Sequence, residues 1–211
     1  RPQPDEPSAI ACPVDGAISE MGRIRGGQLL QAKGRHYSLL DLLGGNRAQA
    51  DDFQDGLFCT IYLSPRDYHR IHMPVEGSLR ETTYIPGRLF SVAPHTTRAI
   101  SGLFTRNERL VSMFDSGQAR VGVILVGAIF VACMETVWGG VAEPAGRDIE
   151  LRQFGSGTGE SVYLKRGDEM GRFNMGSTVI LLFPPGRAEW LQELQAGQPV
   201  RLGQTLGYLI D

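Results

Sequence analysis

Lysine is almost missing from this chain. It occurs only at Lys33 and Lys165, which leaves 19 arginines among the 21 basic residues. Few amines are therefore available to form a Schiff base. The arginine excess reads first as the composition of a GC-rich genome, and second as a supply of forks for phosphate or carboxylate. A basic excess is missing too. The formal net charge is −2, which argues against a nucleic-acid partner. Cysteine is scarce: Cys12, Cys59 and Cys133 form no CxxC pair and no zinc spacing, so they read as free or buried thiols. Long apolar runs are also absent. The longest, Val121–Met134, has 14 residues interrupted by Gly122 and Gly127, too short to span a bilayer. The chain opens at Arg1 with no signal-peptide pattern, and the reading is that an N-terminal stretch able to carry a membrane anchor has been removed.

What is present is an ordinary globular balance. With 42% apolar and 21% charged residues over 211 positions, the chain can bury a real core. Its main signal is short β-branched and aromatic runs between glycines. Strands are expected at 28–33, 57–63, 78–84, 109–115, 119–126, 128–137, 161–164, 178–183 and 205–210. Ser38 can cap a short helix over 39–43, and 187–195 reads as an amphipathic helix after Pro185. The fold class is mainly β, an α+β chain with few short helices. A weak echo between PVDGAISEMG near the start and PVRLGQTLGYL near the end resembles the hairpins of lipoyl-type barrel-sandwich domains. Residues 1–10, proline-rich and polar, read as a flexible segment before a single domain over 11–211.

Three constellations could carry chemistry. The densest polar stretch is Tyr62–Pro74, where His69 and His72 stand three apart beside Arg66, Asp67 and Arg70 at a strand exit. A catalytic loop is the better reading there. Zinc would need a third ligand, and His36 and His95 are remote in sequence, so no metal is expected. The second is Gly176-Ser177-Thr178 inside an apolar run. Such a triplet usually marks a turn or bulge. It also permits a sharper chemistry: glycine lets a nucleophile approach the backbone, so Ser177 Oγ could attack the preceding carbonyl in an N→O acyl shift. The third is Asp15-Gly16, by default a hairpin turn and otherwise a carboxylate that orients a histidine in a Ser–His–Asp set.

At these residues the sequence resembles the phosphatidylserine decarboxylase proenzymes, a pyruvoyl-dependent family. The likeness runs from about Ala11 to Leu209. It is carried by PVDGAIS (13–19), LQAKGRHYSLLDLL (30–43), YLSPRDYHRIHMPVEG (62–77), LFTRNERL (103–110), VGAIFVACMETVWGG (126–140) and KRGDEMGRFNMGSTVI (165–180). One departure is Met175, where the family commonly has Leu, a swap that conserves volume.

The resemblance implies a reaction and a division of labour. Autocatalytic serinolysis between Gly176 and Ser177 would leave a β chain of 1–176 and an α chain of 177–211 that stay associated. Ser177 would end as a covalent pyruvoyl group, the site of substrate attachment. That group would serve the decarboxylation of phosphatidylserine to phosphatidylethanolamine and CO₂. His72 would be the base of self-cleavage, supported by Asp15, and His69 would serve decarboxylation. The resemblance further implies peripheral membrane association, on the cytoplasmic face of a bacterial cell membrane, and a homodimer. Because two acyl chains leave a bilayer only at great cost, Ser177 is expected in a pocket open to the lipid surface, ringed by apolar and arginine side chains.

Other readings compete. A pyruvoyl enzyme for a soluble aromatic amino acid would share every motif. A non-catalytic β-barrel binding module would need a modifiable hairpin lysine, and Lys33 in Ala-Lys-Gly and Lys165 in Leu-Lys-Arg-Gly do not supply one. A metal-dependent hydrolase lacks ligands.

Overall fold

The computed structural model describes residues 2–117, 119–129, 134–142, 148–155, 157–173 and 177–210. In chain order the strands and helices are β1 (Ala9–Ala11), β2 (Gly16–Arg23), β3 (Gln28–Ala32), β4 (Arg35–Ser38), α1 (Leu39–Leu42), α2 (Arg47–Phe53), β5 (Leu57–Tyr62), β6 (Arg70–His72), β7 (Gly77–Ile85), α3 (Pro94–Ala99) and α4 (Leu103–Arg106). They continue with β8 (Arg109–Ser116), β9 (Ala119–Val126), β10 (Met134–Thr136), β11 (Gly140–Ala142), β12 (Glu150–Gln153), β13 (Tyr163–Leu164), β14 (Glu169–Phe173), β15 (Thr178–Phe183), β16 (Ala188–Trp190), β17 (Pro199–Val200) and β18 (Thr205–Leu209). Strand makes up 47% and helix 11%, so the fold is mainly β as the glycine-punctuated runs imply.

The largest sheet runs β12-β7-β8-β9-β15-β5-β2-β17, with β13 also on β7. Its middle strands are apolar on both faces because both faces are covered. Val179, Leu181 and Phe183 of β15 point into one core with Ile61, Phe114 and Val123, and Ile180 and Leu182 into the other with Phe53, Phe104 and Val111. Each such side chain contributes about 1.5–3 kcal/mol by leaving water. A four-stranded sheet, β11-β10-β14-β6, carries the histidine-bearing strand. Arg70–Glu169 and Arg172–Glu135 join its neighbouring strands at 2.8 and 2.7 Å, exposed pairs that set register more than stability.

Local expectations meet mixed outcomes. Ser38 does cap α1, its side chain accepting from the Asp41 N–H at 3.1 Å. The strands expected at 57–63, 109–115, 119–126 and 178–183 appear within one residue of β5, β8, β9 and β15. Of the strand expected at 128–137, Met134–Thr136 is β10, while residues 130–133 lie outside the described residues. The helix expected at 187–195 is instead β16 followed by turns. β16 pairs antiparallel with β18, and Trp190 packs edge-on to Phe183 at 5.5 Å, so tertiary pairing overrides a marginal helical period. The Asp15-Gly16 hairpin is likewise replaced: Gly16 opens β2, and a Cβ there would strike the Tyr62 carbonyl oxygen. Near the two ends of the chain, Pro199 and Val200 pair antiparallel with Ala17 and Gly16. The opening segment ends inside the fold, with Ala9 and Ile10 fully buried in β1.

Buried Arg109 fixes the helical side. Its guanidinium donates to the carbonyls of Leu42, Thr105, Asn107 and Asp41 at 2.6–2.9 Å. Burial pulls its pKa down to about 10, which still leaves it charged at neutral pH.

Candidate active site

β2, β5 and β15 lie side by side, and Ala17, Tyr62 and Thr178 face one another across them. Just past that row, Leu63 and Ser177 exchange both backbone hydrogen bonds, N–H to O at 2.8 and 3.2 Å. At a strand spacing of roughly 4.8 Å, the start of β2 lies about 10 Å from Ser177. Asp15 and Ser177 thus share one end of the large sheet although 162 residues separate them.

The segment 64–72 bridges these strand ends. Its first turn is closed by Asp67, whose Oδ2 accepts from the Ser64 N–H at 2.6 Å. The His72 N–H donates to the Pro13 carbonyl at 2.9 Å, just ahead of Asp15. The His69 carbonyl accepts from the Phe173 N–H at 3.0 Å, four residues ahead of Ser177. The bridge is therefore tied to both chain segments that carry the other candidate residues.

The side chains divide as follows. Ser177 has no solvent exposure, and its Oγ has no hydrogen-bond partner. The expectation of an open pocket around Ser177 is thereby corrected: strand pairing seals it in this precursor state. Gly176 and Met175, on the other side of the expected cut, lie outside the described residues. His72 is half-buried. Its Nδ1 is 2.8 Å from the Gly167 carbonyl, and its Nε2 is 3.3 Å from the Tyr68 hydroxyl. A carbonyl only accepts, so Nδ1 carries a proton, and in the neutral ring Nε2 is the acceptor. The Tyr68 ring stacks on the imidazole at 5.8 Å. Asp15 was expected to orient His72, but Nδ1 is held by Gly167, and Asp15 Oδ1 accepts from the Leu202 N–H at 2.8 Å. His69 Nε2 faces the Pro65 carbonyl at 3.3 Å, which leaves Nδ1 as a buried acceptor with no partner.

Tyr68 and the Gly167 carbonyl were not singled out in the sequence. The Tyr68–His72 spacing of four was legible; a backbone carbonyl leaves no sequence signal at all. Among the described residues the thiols Cys12 and Cys59 are buried, and Cys133 lies outside them. Burial pushes Cys12 up to about 12 and Cys59 well above its ordinary value. Among the described residues, no three His, Cys, Asp or Glu side chains gather as a metal site.

The candidate residues are thus a buried serine whose hydroxyl has no partner and two histidines whose rings each face a backbone carbonyl. The sequence model of the phosphatidylserine decarboxylase family matches residues 1–208. The chain belongs to the phosphatidylserine decarboxylase family. A phosphatidylserine decarboxylase proenzyme of Nitrosococcus oceani is 54% identical over the whole chain, which covers 68% of that relative. One of Methylococcus capsulatus is 52% identical over 96% of the chain and 69% of the relative. One from Pseudomonas fluorescens is 49% identical over 98% of the chain and 72% of the relative.

Proposed function

We propose that this chain is a self-processing precursor that cuts itself between Gly176 and Ser177 and then decarboxylates phosphatidylserine to phosphatidylethanolamine and CO₂. The observation that carries the reading is Ser177, a hydroxyl with neither solvent nor partner, in the Gly-Ser-Thr triplet where the family resemblance implies the cut. A hydroxyl left unpaired in a protein interior costs about 1–3 kcal/mol, and a reactive role is one physical account of such a cost.

The cleavage steps balance. His72 Nε2 takes the Ser177 proton as Oγ attacks the carbonyl of Gly176; the amide nitrogen takes a proton and leaves, giving an ester. Loss of the Cα proton of residue 177 expels the Gly176 carboxylate. Water then replaces the new terminal nitrogen as ammonia, which leaves a pyruvoyl group heading the chain 177–211, held in place by strand pairing with the chain 1–176. That group supplies an electron sink for the pair released when CO₂ departs, and takes the role a lysine-bound cofactor plays elsewhere. His69, with Nδ1 bare and buried, carries the proton to the carbon that loses CO₂. Asp15 follows Pro13, whose carbonyl accepts from the His72 N–H, by two residues, and its Oδ1 accepts from the Leu202 N–H.

The lipid substrate further implies peripheral contact with a membrane surface, and we include that contact and a homodimer in the proposal. What supports a lipid-facing surface is exposed Val141 and Leu151, which with Trp138 line one depression, and exposed Val137 next to Trp138 in the chain. No helix among the described residues is long and apolar enough to cross a membrane. A soluble aromatic amino acid remains the rival substrate.

The test is an intact mass and product assay on wild type and Ser177→Ala. Wild type should split after residue 176 and release CO₂ from phosphatidylserine vesicles; the variant should stay whole and inactive. A wild type that never splits overturns the reading. Turnover of free aromatic amino acid with none on vesicles moves the substrate to the soluble class. Vesicle turnover that falls with salt, while a short-chain soluble analogue is unaffected, supports the membrane contact. Sedimentation of the cleaved protein as a single subunit removes the dimer.

A further inference from the structure

His72 Nε2 can act as a base only if the ring's proton sits on Nδ1, and the structure supports that arrangement through a turn laced to the histidine's own strand. The acceptor is the carbonyl of Gly167, in the turn Lys165–Asp168 between β13 and β14. Four bonds close this turn. Asp168 Oδ2 accepts from the Lys165 N–H at 2.7 Å, and the Asp168 N–H donates to the Lys165 carbonyl at 3.0 Å. The Gly167 N–H donates to the Met73 carbonyl and the Met73 N–H to the Asp168 carbonyl, both at 2.9 Å. Met73 follows His72, so the turn is laced to the histidine's own strand. Gly167 sits at φ +85°, and a Cβ there would come within 2.7 Å of the Gln3 side chain. The left-handed backbone aims the carbonyl, and only glycine fits it without strain.

Arg166 then fixes the turn to the rest of the molecule. Its guanidinium donates to the carbonyls of Pro4, Glu6, Pro7 and Ala9 at 2.6–3.1 Å. The planar fork binds four carbonyls of one segment, a geometry a lysine ammonium cannot copy. The chain 3–9, Arg166, Gly167 and His72 thereby form one connected unit.

We propose that Arg166 and the Gly167 carbonyl are positioning groups for the base: the turn Lys165–Asp168, clamped by Arg166 to residues 4–9, selects the His72 tautomer that self-cleavage needs. A carbonyl at Nδ1 accepts the ring's proton as a hydrogen bond. It fixes the tautomer and ring direction without adding a charge. When the turn loosens, the proton can move to Nε2, which then donates to the Tyr68 oxygen and can no longer take the Ser177 proton. The inference rests on the reading of His72 as the base.

The test uses the full chain with ¹⁵N-labelled histidine. In a Ser177→Ala background, which holds the precursor intact, the His72 ring shifts should report Nδ1–H and a bare Nε2. Adding Arg166→Met should populate the Nε2–H form, and Arg166→Lys should fall between. In the cleavable background Arg166→Met should slow self-cleavage about tenfold, a fraction of the roughly 10²–10⁴ that a positioned base supplies. A merely structural Arg166 would lower the melting temperature without moving the tautomer. An Nε2–H form in the Ser177→Ala parent overturns the proposal without any change to the turn, so a variant that fails to fold does not shelter it. Unchanged tautomer and rate in a folded Arg166→Met overturn it as well. His72→Ala separates the two readings: if that variant still cuts itself, the base is wrong; if it stays whole while Arg166→Met has no effect, only the positioning role falls.

Discussion

Ser177 and Thr178 run directly into Val179–Phe183, and all seven residues are fully buried, yet the two stretches do opposite things with their burial. The five apolar residues alternate between two cores and have nothing left to satisfy. The two hydroxyls are sealed with no hydrogen-bond partner. Backbone pairing does not distinguish them, since Ser177 is bonded to Leu63 and Thr178–Phe183 to β5. The difference is in the side chains alone: one part of the segment lowers the free energy of the fold, and the other draws on that surplus to hold polar groups out of water. The stable part carries the reactive part, which is how a protein can keep an unsatisfied serine in one place long enough to react.

The largest effect that would break this contrast is catalytic. His72→Ala should abolish self-cleavage and leave one band near 23.1 kDa, whereas His69→Ala should still split but lose decarboxylation, because the first step needs a base and the second an acid. Denaturing gels and CO₂ release read the two outcomes separately; a His69→Ala chain that stays whole would merge the roles. Next comes stability. Leu181→Ala should cost about 2–5 kcal/mol in denaturant unfolding, while the folded fraction cleaves at the wild-type rate. If it slows cleavage as much as it lowers stability, the two stretches are not separable.

A smaller effect of opposite sign is expected at the polar end. Thr178→Val replaces an unpaired hydroxyl with a methyl of similar shape and should raise the unfolding free energy by about 1 kcal/mol. A loss of that size would mean the hydroxyl has a partner in solution. The smallest effect extends the argument to an ionisable group. Burial raises the Glu108 carboxyl above its ordinary value. Its folded pKa therefore exceeds its unfolded one, so it favours the fold below the unfolded pKa and that contribution disappears as pH rises through the folded pKa. Glu108→Gln should consequently gain stability relative to wild type at pH 7 and lose that advantage near pH 4. Thermal melts at the two pH values decide it.

Much of this was readable before any coordinates. Apolar runs at 57–63 and 178–183 became adjacent central strands because no other placement buries both faces of such runs. Ser38 announced a helix start by side-chain chemistry alone. Other features were hidden. The period of 187–195 suited a helix, but β18 offered backbone partners to Ala188–Trp190, and an exposed short helix could not compete. The open pocket expected around Ser177 followed from the needs of a lipid, whereas the closed strand pairing follows from the needs of the uncut chain.

By itself the sequence determined which residue types could react, that Ser177 follows a glycine, that His69 and His72 share one short segment, and that the surroundings would be β-sheet. Only the tertiary structure decided which nitrogen of each imidazole faces a carbonyl. That choice depends on where the carbonyls of Gly167 and Pro65 point. Every residue has the same carbonyl, so its direction is written in backbone angles and long-range packing, not in residue identity.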